Sequence, residues 1–146
     1  MTWWWDNYLE PLNLWPVFIG ISKFVAPIDF AHKEFRPLSL EAPGLTVLSM
    51  QDAHSGETIF WLHDPDSNWK SDAAGHVPRV WSDVTISVPA NQAMEVEVWD
   101  TRTGVVVRRS SIDPVNGSVN VTLPKFERDL AVRMFAAKTN PPELSH

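Results

Sequence analysis

Residues 94–110 read MEVEVWDTRTGVVVRRS. Two β-rich runs, 94–100 and 105–110, flank Asp100-Thr101-Arg102-Thr103-Gly104. That connection suits a type I turn followed by a glycine in the left-handed conformation, a common hairpin device. Strict alternation puts Val96 and Val98 on one face, with Glu95, Glu97 and Trp99 opposite. Downstream, Asn116-Gly117 marks a second tight turn, and Val119, Val121 and Leu123 then alternate with Asn120 and Thr122. A last strand is expected at 130–137. Upstream, short runs at 36–41, 45–52, 58–63 and 84–88 are separated by turn clusters every ten residues or so. About eight short strands in this length predict a mainly β chain folded as an immunoglobulin-like antiparallel β-sandwich.

The first thirty residues follow another grammar. Leu14, Phe18, Ile21 and Val25 recur at helical spacing, with Val17, Phe24 and Ile28 beside them. Asn13 suits an N-cap, and Pro16 falls in the first turn, where its missing N–H costs little. One amphipathic helix is expected at 14–25, ahead of the sandwich. Three segments follow: an aromatic strand plus helix over 1–30, the sandwich over 31–138, and a polar, Pro-rich tail at 139–146 that is expected to be disordered.

With 146 residues, 44% hydrophobic and 21% charged, the chain has the composition of a globular protein. Its net charge of −6 argues against nucleic acid or an anionic membrane as the main partner. Pro16, Lys23 and Pro27 interrupt the apolar stretch near the start, so it reads as no membrane span, and it follows no basic run, so it is not expected to be a signal peptide. The absence of cysteine excludes disulfides and thiolate metal sites and leaves the compartment open.

Trp3, Trp4 and Trp5 are consecutive and are followed by Asp6, Asn7 and Tyr8. Adjacent indoles cannot all share one face of a helix or strand, so at least one must meet a ligand, another domain or another chain. One reading is a sugar platform, with indole faces against pyranose C–H groups and Asp6 and Asn7 bonding hydroxyls. The other is packing of this segment against its own helix, the sandwich or a second subunit. Trp99 is the best exposed aromatic expected in the β part. Trp61 is expected in the core and Trp81 at a rim. Asp64, Asp66 and Asn68 have alternate-residue spacing that suits a hard cation. The turning glycine of a calcium loop is missing, however, with Trp69 in its place, so a polar turn ending in a tucked-in tryptophan is expected and no metal or other cofactor is assigned. His54, His63 and His76 fit no ligand spacing. Glu127, Arg128 and Asp129 read as an exposed charged turn.

The opening "WWWDNYLEPLNLWPVFIGISKFV" resembles the last βα unit of a (β/α)8-barrel glycoside hydrolase of the cellulase/mannanase kind, a strand of the type W-W-W-D-x-Y running into a P-x-N-L turn and a helix. "ETIFWLHDPDSNW" at 57–69, "VEVWDTRTGVVVRRSSI" at 96–112 and "VNVTLPKFERDLAVRMF" at 119–135 are similar to strands of the β-sandwich that follows such barrels. The resemblance is collinear over nearly the whole chain. It implies a non-catalytic accessory sandwich that packs against a catalytic barrel and contacts carbohydrate, with Trp3, Trp4, Trp5, Asp6, Tyr8 and Trp99 as contact candidates. A complete barrel needs on the order of 250 residues, and this chain has room for one βα unit. Glycoside hydrolysis also needs two carboxyls across one bond, so no catalytic residue is assigned. The alternatives are a subunit that completes a hydrolase site with a partner chain, and a ligand-free oligomerisation module. The implied partners are a barrel, or a second copy, meeting Trp3, Trp4, Leu14, Phe18 and Ile21.

Overall fold

The computed structural model describes residues 5–137. Among these the chain is mainly β, with ten strands, all paired antiparallel, and four short helical elements. A six-stranded sheet is built from β1 (Phe35–Pro37), β2 (Thr46–Asp52), β3 (Thr58–His63), β6 (Met94–Asp100), β7 (Val105–Ile112) and β10 (Asp129–Ala136), in the order β1-β2-β3-β10-β6-β7. Two ribbons complete the strands: β5 (Thr85–Pro89) with β8 (Ser118–Thr122), and β4 (Val80–Trp81) with β9 (Phe126–Glu127). The strands β4 and β9 were not expected, because two-residue pairings leave no alternation to read.

Alternation decides the core. Phe60 and Leu62 of β3, Val96 and Val98 of β6, and Val132 and Met134 of β10 point inward and meet Ile86, Val88, Val119 and Val121 of the β5–β8 ribbon. This is the two-layer packing of a sandwich. Trp81 joins this core rather than a rim, and its indole N–H finds a buried acceptor in Asp64 Oδ2 at 3.0 Å. The β6–β7 turn has the expected chemistry. Gly104 sits at φ +62° and donates to Asp100 O at 2.9 Å, while Asp100 Oδ1 accepts from the backbone N–H groups of Arg102 and Thr103 at 3.0 and 2.7 Å. Asn116 (φ 52°) and Gly117 (φ 79°) close the expected tight turn.

The N-terminal segment departs from expectation in two ways. The expected aromatic strand is a π-helical turn, Trp5–Leu9, with Glu10 N–H bonded to Trp5 O at 3.2 Å; Trp3 and Trp4 lie outside the described residues. A lone strand has nothing to take its backbone groups, so the chain bonds to itself instead. The single helix expected at 14–25 is a 3-10 turn, Trp15–Phe18, followed by α1 (Ile19–Val25). Asn13 is no cap: it takes φ 46°, and no side chain caps the turn. The expected tail at 139–146 lies outside the described residues.

Asp52 closes the turn after β2. Its carboxylate accepts from Ser55 N and Glu34 N, both at 2.8 Å, and these bonds with the Ser55 hydroxyl hold its pKa down to about 2, from 3.8. A depressed carboxylate stabilises the fold above its unfolded pKa and loses that contribution as pH falls through the folded value. Urea midpoints measured between pH 5 and 2 are therefore expected to fall more steeply for the wild type than for Asp52→Asn. Parallel curves would contradict this.

Candidate functional site

The outer face of the six-stranded sheet carries the features that set this chain apart from a plain sandwich. Ladder pairing lines up Leu48, Trp61, Ala131 and Trp99 in one row across β2, β3, β10 and β6. The next row holds Met50, Ile59, Arg133, Glu97 and Arg109. The N-terminal segment crosses this face diagonally.

Helix α1 enters over the β6–β7 turn, and two glycines allow the approach. A Cβ on Gly20 would lie 1.7 Å from Thr101 O, and one on Gly104 would lie 2.9 Å from both Cβ and Cδ of Lys23. Lys23 Nζ donates to Thr103 O at 3.3 Å. One turn on, Phe24 meets Trp99 edge-to-face at 5.7 Å, a favoured aromatic geometry. Trp99 is therefore only 9% exposed, not the exposed platform that alternation alone suggested. Its indole N–H is buried with no partner among the described residues.

The helix docks on a different face from the one expected. Gly20 and Phe24, one turn apart, face the sandwich, whereas Phe18, Ile21 and Val25 are exposed and Leu14 is half-buried. Between α1 and the sheet lies a hollow of about 390 Å³, lined by Ile21, Phe24, Val25, Trp61, Trp99 and Ala131. Asp129 anchors its floor. It accepts from Trp61 Nε1 at 3.1 Å and from Thr101 Oγ1 at 2.7 Å. Asp129 thus ties β10 to β3 and to the β6–β7 turn, and is not part of a solvated turn. Arg128 is not free either: it takes φ 65°, a conformation that costs about 1–2 kcal/mol for a residue with a Cβ, and its guanidinium pairs with Asp72 at 2.8 Å. Trp61, expected in the core, is on this outer face.

Past the helix, the segment is fastened by charge. Glu57, 2% exposed, takes Arg133 Nε at 2.7 Å and pairs also with Lys33. Arg133 donates to Pro27 O at 3.1 Å, and its guanidinium lies over Phe135. Burial lowers the pKa of Arg133, and Glu97 opposes that shift. Glu97 in turn takes Arg109 at 2.5 Å. Sequence reading missed Glu57 and Arg133, which are 76 residues apart, because nothing local in either run signals the other.

The remaining candidates do not converge. Trp5 and Tyr8 are exposed, Asp6 shares their turn, and Trp5 packs edge-to-face on Trp15 at 4.7 Å. Two of the three candidate cation ligands are otherwise engaged: Asp64 with Trp81, and Asn68 as N-cap of α2 (Trp69–Ala73), accepting from Lys70 and Ser71 N–H. Asp66 stands exposed beside them. Among the described residues no cluster of three or more His, Asp or Glu could hold a metal. Trp69 does not tuck in but is 74% exposed at the helix start. His63 stacks on Trp61, and His54 pairs with Glu34 at 3.3 Å.

No protein family and no curated protein matches the chain.

Proposed function

We propose that the chain is a non-catalytic accessory β-sandwich of a glycoside hydrolase that packs against a catalytic barrel through its N-terminal segment. The observation that carries this reading is the two-sidedness of that segment. One side, Gly20 and Phe24, is spent on the sandwich. The other leaves Trp5, Tyr8, Leu12, Trp15, Phe18, Ile19, Ile21 and Val25 exposed. Together these present on the order of 800 Å² of largely apolar surface, which is what one partner brings to a standard-size interface. Such a patch is a liability in water and suits a partner surface. The motif resemblance supplies the partner's identity, a (β/α)8 barrel.

Carbohydrate contact enters as the second part of the proposal and rests on Trp5, Asp6 and Tyr8. Phe24 covers Trp99, which leaves that ring no face for a sugar.

The test is co-expression with a glycoside hydrolase barrel truncated before its last βα unit. The two chains are expected to co-purify as a complex, and this chain alone is expected to hydrolyse no aryl glycoside. Failure to co-purify would count against the accessory role, and hydrolysis by the pure chain would overturn the non-catalytic reading.

A further inference from the structure

We propose that the hollow under α1 binds a flat, uncharged ring compound carrying one hydrogen-bond acceptor, with the indole N–H of Trp99 as its donor. The inference is independent of the barrel reading above.

The hollow has the size of a ligand site and one free polar group. Its volume of about 390 Å³ lies within the roughly 300–1,000 Å³ usual for small-molecule pockets. Helix α1 supplies one wall with Ile21, Phe24 and Val25, and the sheet supplies the other with Trp61, Trp99 and Ala131. Aromatic rings on both walls favour a flat ring, which can stack on them or meet their edges. Among the described residues, Trp99 Nε1 is the one buried side-chain nitrogen or oxygen with no hydrogen-bond partner. Native folds keep few such groups, and each calls for an account. An acceptor on the ligand gives this donor its partner. Phe24, edge-to-face on the same indole, is the side chain that turns aside to admit it.

The lining also sets the charge of the occupant. No Lys, Arg or His borders the hollow, so an anion finds no counter-charge there. A cation fares no better. Asp129 has given Oδ2 to Trp61 and Oδ1 to Thr101, and Asp100 Oδ1 is taken by the N–H groups of Arg102 and Thr103. A sugar would bury several hydroxyls against a single free donor, and each one left unpaired is unfavourable. What fits is an apolar body with one carbonyl or ether oxygen. A short aliphatic substituent can run on over Leu48 and Met50, where a second hollow of about 420 Å³ shares Phe24 and Trp61 with the first.

The test titrates the full chain with prodan, a neutral naphthyl ketone, and with dimethylaminonaphthalene, its carbonyl-free parent. Saturable changes in probe emission are expected for both, with the ketone bound roughly threefold to tenfold more tightly. Trp99→Phe keeps a ring but removes the N–H, and is expected to erase that difference by weakening the ketone alone. Ala131→Leu fills the hollow and is expected to abolish binding of both probes. Circular-dichroism melts establish that the variants fold; should Trp99→Phe not fold, the wild-type difference and Ala131→Leu decide. No saturable binding of either probe, or undiminished binding to folded Ala131→Leu, would overturn the site. Equal affinity of the two probes for the wild type, or equal weakening of both by Trp99→Phe, would overturn the role of Trp99. Displacement of prodan by a more tightly bound anion, anilinonaphthalene sulfonate, would overturn the uncharged class.

Discussion

Replacing Gly20 with alanine is expected to destabilise the protein, against the usual direction for a helix. In a free helix alanine is better than glycine by about 1 kcal/mol. Here the new Cβ would lie 1.7 Å from Thr101 O, a backbone atom. The Thr101 turn is pinned by Asp100 and by the Thr101–Asp129 bond, so it cannot retreat. The helix must lift instead, and the Phe24–Trp99 contact goes with it. Overpacking of this kind costs about 1–3 kcal/mol. Ser22→Ala, on the exposed side of the same helix, is the matched control and should be neutral or slightly stabilising. Urea midpoints and protease cleavage within residues 5–30 separate the two. Equal midpoints and equal cleavage would mean that α1 is not seated on the β6–β7 turn.

The largest loss is expected from Glu57→Ala. Glu57 lies between two cations and is itself almost fully buried. Its removal leaves Arg133, whose side chain is only 14% exposed, without its close carboxylate. Breaking a buried pair from one side typically costs about 3–5 kcal/mol, because the remaining charge is still desolvated. For a chain of this size that is a drop of roughly 6–20 °C in Tm. The double variant Glu57→Met with Arg133→Met removes both charges and is expected to recover part of the loss. A single variant that melts within about 2 °C of the wild type would show that the network holds nothing.

Much of the sandwich is legible in the residues. Val96, Val98, Val119 and Val121 alternate cleanly, and Gly104 and Asn116-Gly117 stand where positive φ is needed, so the strands they delimit are found nearly to the residue. The candidate surface is harder to read, for two physical reasons. First, apolar side chains surround α1, so periodicity weights Phe18, Ile21 and Val25, whereas its seat is set by Gly20, a residue with no side chain to count. Second, alternation shows that Trp61 and Trp99 share faces with their ladder partners, but not that the outer face is covered. Trp99 therefore reads as exposed and is buried, while Trp61 reads as core and lines a hollow. The Asp129 and Glu57 anchors join residues 24 to 76 positions apart, beyond any local pattern.

The seating of α1 on the β6–β7 turn also sets an order of events during translation. Lys23 must wait for Thr103, 80 residues later in the chain. At ribosomal speeds of about 5–20 residues per second, Phe24 and its neighbours spend roughly 4–16 s without the surface that shelters them. During that interval the nascent segment is a hydrophobic stretch open to chaperones. A cognate partner already present at the ribosome would meet this protein's stickiest surface before its own sandwich does.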